Sequence, residues 1–430
     1  MRAQGARQRT ITRRGAAGVG LASVISALSG YLILVIAARA LGPERNADFL
    51  VFWALMFGLF GILGGLQQET TRSVSSSDLG TPLSKRPVHV LPVSVLVGIG
   101  AAVVVGATSA LWSTPTLGPG SWPLVIALCL AAPAFAGDSA LVGALAGQRS
   151  WRMYSAVVSS EAISRLLFVG LVVLAGATTH GLEIASAAAS AVWIVFSLGS
   201  SAGRRAARAT GDADRGEFLT SSGHAMVAAA SSAALVVGFP VLLRLTSTKP
   251  EWVTAAPLLL AISLTRAPLL MPLNAYQGVA IAHFTSEQDR GLALLLRPAA
   301  AILGVGALGA VGAYLLGPFI MVAFFGPGYR VGGLLLAGLT LAAACLALLT
   351  LTGSAVLAVG RHKAYAIGWF VSCVVSVALL MTDLPLASRA VVSLCVGPVV
   401  GIVIHLSALR SGPTSPSVIT EGSDEPQSGR

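Results

Sequence analysis

Twelve apolar stretches run through this 430-residue chain, and the basic residues between them fall almost entirely in alternate gaps. The stretches cover residues 16–39, 48–67, 88–112, 123–146, 155–177, 181–202, 224–246, 253–282, 292–316, 331–358, 364–382 and 386–408. Most have the ~20 apolar residues that cross a hydrocarbon core. Inside hydrocarbon every backbone N–H and C=O must find its partner within the protein, so segments of this length are read as helices.

Twenty of the 28 Lys and Arg residues lie in gaps on one side, among them Arg13, Arg72, Arg149, Arg204, Arg297, Arg361 and Arg410. Five lie on the other (Arg39, Arg45, Lys249, Arg330 and Arg389), and Arg165, Arg244 and Arg266 remain inside spans. Basic loops are retained in the cytoplasm, which predicts a cytoplasmic-membrane protein with both termini cytoplasmic. A missed or split helix would break the alternation, so its regularity supports the count of twelve. With 55% hydrophobic and 10% charged residues and a mean hydropathy of +0.81, the chain falls outside the range of soluble domains. The net charge of +11 does not signal nucleic acid, because topology accounts for the basic residues and no basic stripe carries interleaved aromatics. Cys129, Cys345, Cys373 and Cys395 fall inside spans without CxxC spacing and read as small buried hydrophobes, so no disulfide, metal or cofactor is expected. The basic, then apolar N-terminus reads as a retained first helix, since it lacks a small-residue cleavage site.

The polar gap SAGRRAARATGDADRGEFLTSSG divides the spans six and six. The expected organisation is a basic N-terminus (1–15), an N-lobe (16–203), a cytoplasmic linker (204–222), a C-lobe (223–410) and a disordered cytoplasmic tail (411–430). The fold expected is all-α, with about twelve transmembrane helices in two pseudo-symmetric lobes around a central cavity. A faint internal repeat supports the halves: Arg39 and Arg244 end the first span of each, and Gln68 and Gln277 follow about thirty residues later. Parallel repeats of this kind are common in secondary transporters, where the substrate path runs between the halves.

The segments ARALGPERNADFLVFWAL and GLQQETTRSV, and later FFGPGYRVGGLLLAGL at 324–339, resemble bacterial polysaccharide-export flippases of the multidrug/oligosaccharidyl-lipid/polysaccharide exporter superfamily. One departure is Asn46 and Ala47, where that family usually has Tyr-Gly soon after LGP. The resemblance implies a lipid-linked saccharide substrate and, as partners, membrane lipid and a polysaccharide polymerase or glycosyltransferases.

Ionisable side chains inside a membrane are costly, at least ~2.5–3.5 kcal/mol at the midplane, so they face a partner or a wet cavity. Arg266, Asn274 and Gln277 belong to one span with Pro268 and Pro272, which favour a kink. Eleven residues at ~100° each put Arg266 and Gln277 about 20° apart, on one polar stripe. The alternative is that Arg266 pairs with an acid across the bundle. Arg165 follows Glu161 by four residues, a spacing that equally supports a self-neutralised pair. Arg39 and Arg244 lie near span ends, where Arg either snorkels to the interface or extends a cationic path. Asp138 is an isolated acid suited to a counter-ion or proton-coupling role, and Gln68 and Glu69 end the second span, with Arg72 able to pair with Glu69.

Arg keeps its charge when desolvated and its planar fork binds phosphate oxygens in pairs, which suits a pyrophosphate-linked lipid. The charges point to an anion, and with what the resemblance implies the reading is a flippase moving a polyprenyl-pyrophosphate-linked saccharide to the outer leaflet by alternating access. A drug or cation exporter would call for acids in the cavity. A membrane-embedded assembly enzyme would need a large outward loop, and P-loop, GxSxG and HExxH motifs are absent. A transport-incompetent scaffold predicts that intramembrane charge is dispensable.

Overall fold

The computed structural model describes residues 13–78, 86–176, 178–266, 268–270, 273 and 293–410. The first two spans form one helical run, Arg13–Asp78, broken at Gly42 (φ 73°, ψ 171°). Gly42 takes a left-handed φ that a side chain would strain, and Pro43 presets the first residue of the next helix. The LGP tripeptide therefore reverses the chain between α1 (13–41) and α2 (43–78). At 1.5 Å per residue α2 is about 54 Å long. It runs well past residue 67, where its apolar stretch ends, and carries the polar segment Gln67–Arg72 as helix.

The N-lobe continues with α3 (Val90–Leu117), α4 (Trp122–Gly147), α5 (Trp151–Leu174) and α6 (Thr179–Gly199), which tightens to a 3-10 turn at Ala189–Ala191. The C-lobe opens with α7, two helical segments (Arg215–Val236 and Phe239–Thr246) bent by 57°. Gly238 and Pro240 explain the bend: one relaxes the backbone and the other removes a donor. Then come α8 (Ala256–Leu270), α9 (Ala293–Phe325), α10 (Gly333–Ala358), α11 (His362–Leu380) and α12 (Leu386–Arg410). Among the described residues these helices agree with the expected count of about twelve, and the chain is a multi-pass membrane protein. Its exposed side chains on α3, α9 and other outer helices are large and apolar, as lipid contact requires.

The linker is structured. A short helix (Ser201–Ala207) and the backbone bonds Val88 N–H to Ala213 C=O and Gly211 N–H to Val88 C=O dock it onto the N-lobe. The Asp212 carboxyl would be raised by burial alone, but the Ser73 hydroxyl and Arg72 guanidinium hold it below the usual carboxylate range. Asp214 then caps α7 by accepting from the Glu217 N–H, so that helix starts at 215 rather than 224. The first twelve residues and the tail 411–430 lie outside the described residues.

The lobes meet most extensively toward the face that carries the Gly42 turn. There Ile33, Ala37, Leu41 and Phe49 of the N-lobe share one buried core with Phe239, Trp252, Ile262, Met321 and Tyr329 of the C-lobe. Toward the opposite face α2 and α7 touch backbone to backbone. A Cβ on Gly65 would sit 2.5 Å from the Met226 nitrogen, so only glycine permits this approach.

Candidate functional site

Between the lobes lies a cavity of about 340 Å³ walled by α1, α2, α7 and α8. Tyr31, Trp53 and Phe57 line its N-lobe side, and Pro240, Ser263 and Arg266 its C-lobe side. A second cavity of about 510 Å³ shares Val236, Val237 and Leu270 with it and continues toward the face opposite Gly42. Gln68, Ser232, Thr350, Tyr365 and Trp369 supply its polar groups. Neither lining contains a carboxylate among the described residues.

Arg266 lies ten residues into α8, about 15 Å from its start, half the thickness of a hydrocarbon core of about 30 Å. It is 8% exposed. One guanidinium nitrogen donates to the carbonyls of Leu235 and Val236, both at 3.1 Å, and the group stacks over Phe239, 5.4 Å from the ring centroid. Those carbonyls end the first segment of α7, where the break leaves them without helical partners and the helix dipole is negative. Arg266 thus stabilises the broken helix. Its other terminal nitrogen, Nη2, is buried without a hydrogen-bond partner at the cavity wall. The guanidinium forms no ion pair among the described residues, so the acid partner weighed from the sequence is absent there.

Arg165 is elsewhere. It is buried inside the N-lobe, ion-paired with Glu161 and donating from Nε to the Ser186 carbonyl at 3.1 Å. Its guanidinium lies 4.9 Å from the ring of Phe57, whose ring also lines the cavity, so Arg165 backs the wall without facing the space. Asp138 interacts electrostatically with both members of that pair, and its Oδ1 is buried without a partner. Replacing Arg165 by Gln leaves Glu161 with no counter-charge and is expected to cost about 3–5 kcal/mol, seen as a lower thermal midpoint. The double variant Glu161→Gln, Arg165→Gln recovers most of that loss if the pair is structural. Persistent loss of transport in the refolded double variant would instead give Arg165 a direct role.

Arg39 and Arg244 lie in the seam at the Gly42 face, outside the lining of both cavities. Arg39 donates to the carbonyls of Ala323 (2.6 Å) and Phe324 (2.8 Å) across the lobes, and Arg244 stacks 4.7 Å over Trp252, whose indole donates to Asp48 at 3.0 Å. Tyr329, in the GPGY turn, closes the same seam by donating to the Ala38 carbonyl at 3.1 Å. Behind it the Glu251 carboxyl accepts from the Thr248 N–H and from Arg389, which hold it below the usual range. Glu69 pairs with Arg72 at 2.6 Å as its spacing suggested, and Arg72 reaches on to Asp212. Asn274 and Gln277 lie outside the described residues.

Sequence reasoning missed Tyr31, Trp53, Phe57, Tyr365 and Trp369 as cavity residues, because an aromatic in an apolar span looks the same whether it packs or lines. It also missed Glu183, which is 1% exposed with one carboxylate oxygen unpartnered. An acid inside the span predicted at 181–202 was the signal.

No protein-family profile matches the chain. It is 40% identical over 406 residues, 94% of each chain, to the uncharacterized protein Rv3630 of Mycobacterium tuberculosis (strain ATCC 25618 / H37Rv). To Rv1510 of the same strain it is 38% identical over 403 residues, 94% of this chain and 93% of the relative. Among solved structures it superposes on an inward-facing conformation of a multidrug resistance MATE family transporter of the MOP superfamily with TM-score 0.69 and 15% identity, covering 92% of this chain and 96% of that one. An outward-facing conformation of a multidrug resistance MATE family transporter gives TM-score 0.64 at 15% identity, covering 93% and 97%. A MOP superfamily transporter from Pyrococcus furiosus gives 0.67 at 14% identity, covering 93% and 96%. At these identities the likeness defines the fold, which is that of MOP superfamily transporters.

Proposed function

We propose that this chain, which belongs to the family of the Mycobacterium tuberculosis proteins Rv3630 and Rv1510, is a membrane exporter working by alternating access, and that its substrate is a polyprenyl-pyrophosphate-linked saccharide. The observation that carries this reading is the Arg266 guanidinium, buried at mid-membrane depth in the wall of a cavity between the lobes, with Nη2 unpartnered and no carboxylate in the lining among the described residues. A buried cation with no counter-ion among the described residues calls for an anion, and a guanidinium fork donates to the paired oxygens of a pyrophosphate. The distribution of Lys and Arg puts the Gly42 face outside and both termini in the cytoplasm. On that orientation the seam held by Arg39, Trp252 and Tyr329 is the closed outer gate, and the head group enters past Gln68 from the cytoplasm. Arg39 and Arg244 are held by carbonyls and a ring rather than by carboxylates, so gate opening frees both to draw an anion outward. The saccharide and the cell-surface partners follow from the sequence resemblance.

A drug exporter is the second reading, supported by the aromatic wall of Tyr31, Trp53 and Phe57 and by the fold shared with MATE transporters. A cationic drug would meet Arg266 with no compensating acid among the described lining residues. The two readings separate in cells depleted of the protein. Lipid-linked saccharide is expected to accumulate on the cytoplasmic leaflet, measured by leaflet-resolved labelling, and wild type to clear it. Normal leaflet distribution together with heightened drug sensitivity would move the assignment to drug export.

A further inference from the structure

A third cavity, of about 430 Å³, lies on the flank of the molecule where α2 and α7 meet α3 and α4. Gly58 and Ile62 of α2, Val105 of α3, Leu128 of α4, and Ala230 and Leu242 of α7 line it, and no charged side chain does. Most of these residues are only half-buried, so the space is a groove open to the side. Its size falls within the range of small-molecule sites, about 300–1,000 Å³. Trp112, at its α3 edge, spends its indole donor on Thr108 at 3.2 Å, so the groove offers no free polar side-chain group there. A head group has nothing to bind in it, and a hydrocarbon chain has everything.

The groove shares walls with both central cavities. Ala54 belongs both to it and to the Arg266 cavity, and Ala233 both to it and to the second cavity. Between groove and second cavity stands a neck of small residues, where a Cβ on Gly61 would lie 3.8 Å from that of Ala233. Gly238, at the break of α7, lines the groove while the adjacent Val237 lines both central cavities, so a single unwound point of one helix separates the two environments. A lipid-linked anion needs this combination, since its charged end must leave hydrocarbon while its chain cannot leave it without losing about 0.8 kcal/mol per methylene.

We propose that this α2/α3/α4/α7 groove seats the first part of the substrate's own polyprenyl chain while the pyrophosphate sits at Arg266. The inference rests on the function proposed above and adds a chain-length requirement and a place for the chain. A Cβ on Gly58 meets nothing within 4 Å, so Gly58→Leu starts its side chain in open space on one wall of the groove, and Ala230→Leu enters from the opposite wall.

The test is equilibrium binding to full-length protein in nanodiscs, with a long-chain polyprenyl pyrophosphate, the five-carbon isopentenyl pyrophosphate and a diacyl phosphatidic acid as probes. Thermal melting verifies that each variant is folded. Both groove variants are expected to weaken the long-chain probe about tenfold, the equivalent of about two methylenes left unburied, and to leave the five-carbon probe unchanged. Arg266→Gln weakens both pyrophosphates. Unchanged long-chain binding in both groove variants overturns the proposal, and so does an equal loss for phosphatidic acid, which would assign the groove to ordinary membrane lipid. If wild type binds neither pyrophosphate, the anion cavity itself fails and the groove assignment falls with it.

Discussion

On the proposed function, Arg266→Ala is expected to reduce export at least about 100-fold per folded molecule, since it would remove two charge-assisted hydrogen bonds to the anionic head group, each contributing about 1.5–3 kcal/mol. The readout is the leaflet distribution of lipid-linked saccharide in depleted cells complemented at equal expression. The same substitution exposes the Leu235 and Val236 carbonyls at the break of α7. A fall in thermal midpoint therefore accompanies the loss and must be separated from it. Arg266→Lys makes that separation: it retains a donor for the carbonyls and a positive charge but lacks the planar fork. Near-normal stability with export still reduced assigns the fork to the substrate. Full export by Arg266→Ala would leave Arg266 as a helix cap alone and remove the observation on which the anion reading stands.

Closing the seam at the Gly42 face covalently is the second large effect. The Cβ position of Gly328, in the turn between α9 and α10, lies 2.9 Å from the Pro43 ring at the start of α2. Cysteines at these positions come within reach of a disulfide, which needs Cβ atoms about 3.5–4.5 Å apart. The variant Pro43→Cys, Gly328→Cys is expected to fall to background export when oxidised and to recover when reduced, because a transporter that alternates between two faces cannot turn over with one gate fixed. With the four natural cysteines replaced, labelling of a cysteine introduced at Gln68 should persist in the locked state, since the opposite opening is untouched. Export that continues with the cross-link fully formed would rule out alternating access through this seam.

Much of this architecture was legible in one dimension. The twelve spans follow from length and apolarity, and the turn at Gly42–Pro43 follows from residues whose backbone preferences are local. The Glu161–Arg165 and Glu69–Arg72 pairs follow from helical spacing. Where the reading stopped, the reason was also physical. The break in α7 at Gly238 and Pro240 was passed over because both residues sit in an apolar run that composition treats as continuous. The extra helical turns of α2 were passed over because polar residues end an apolar stretch without ending a helix.

The intramembrane arginines mark the boundary between the two kinds of information. Arg39, Arg165, Arg244 and Arg266 share one cost of desolvation, and that cost alone picks them out in the sequence. What each does depends on its partners, and these come from distant segments: Ala323 and Phe324 for Arg39, Trp252 for Arg244, Ser186 as well as Glu161 for Arg165. Only Arg266 meets a cavity with a donor to spare. The sequence by itself determined that the chain spans a membrane twelve times in two halves and which side holds its charge, because hydrophobic length and loop charge act segment by segment. The tertiary structure alone decided which of these charges lines the cavity between the lobes, where the lobes pack into a seam and where an apolar groove lies beside the cavity, because those depend on which helices meet.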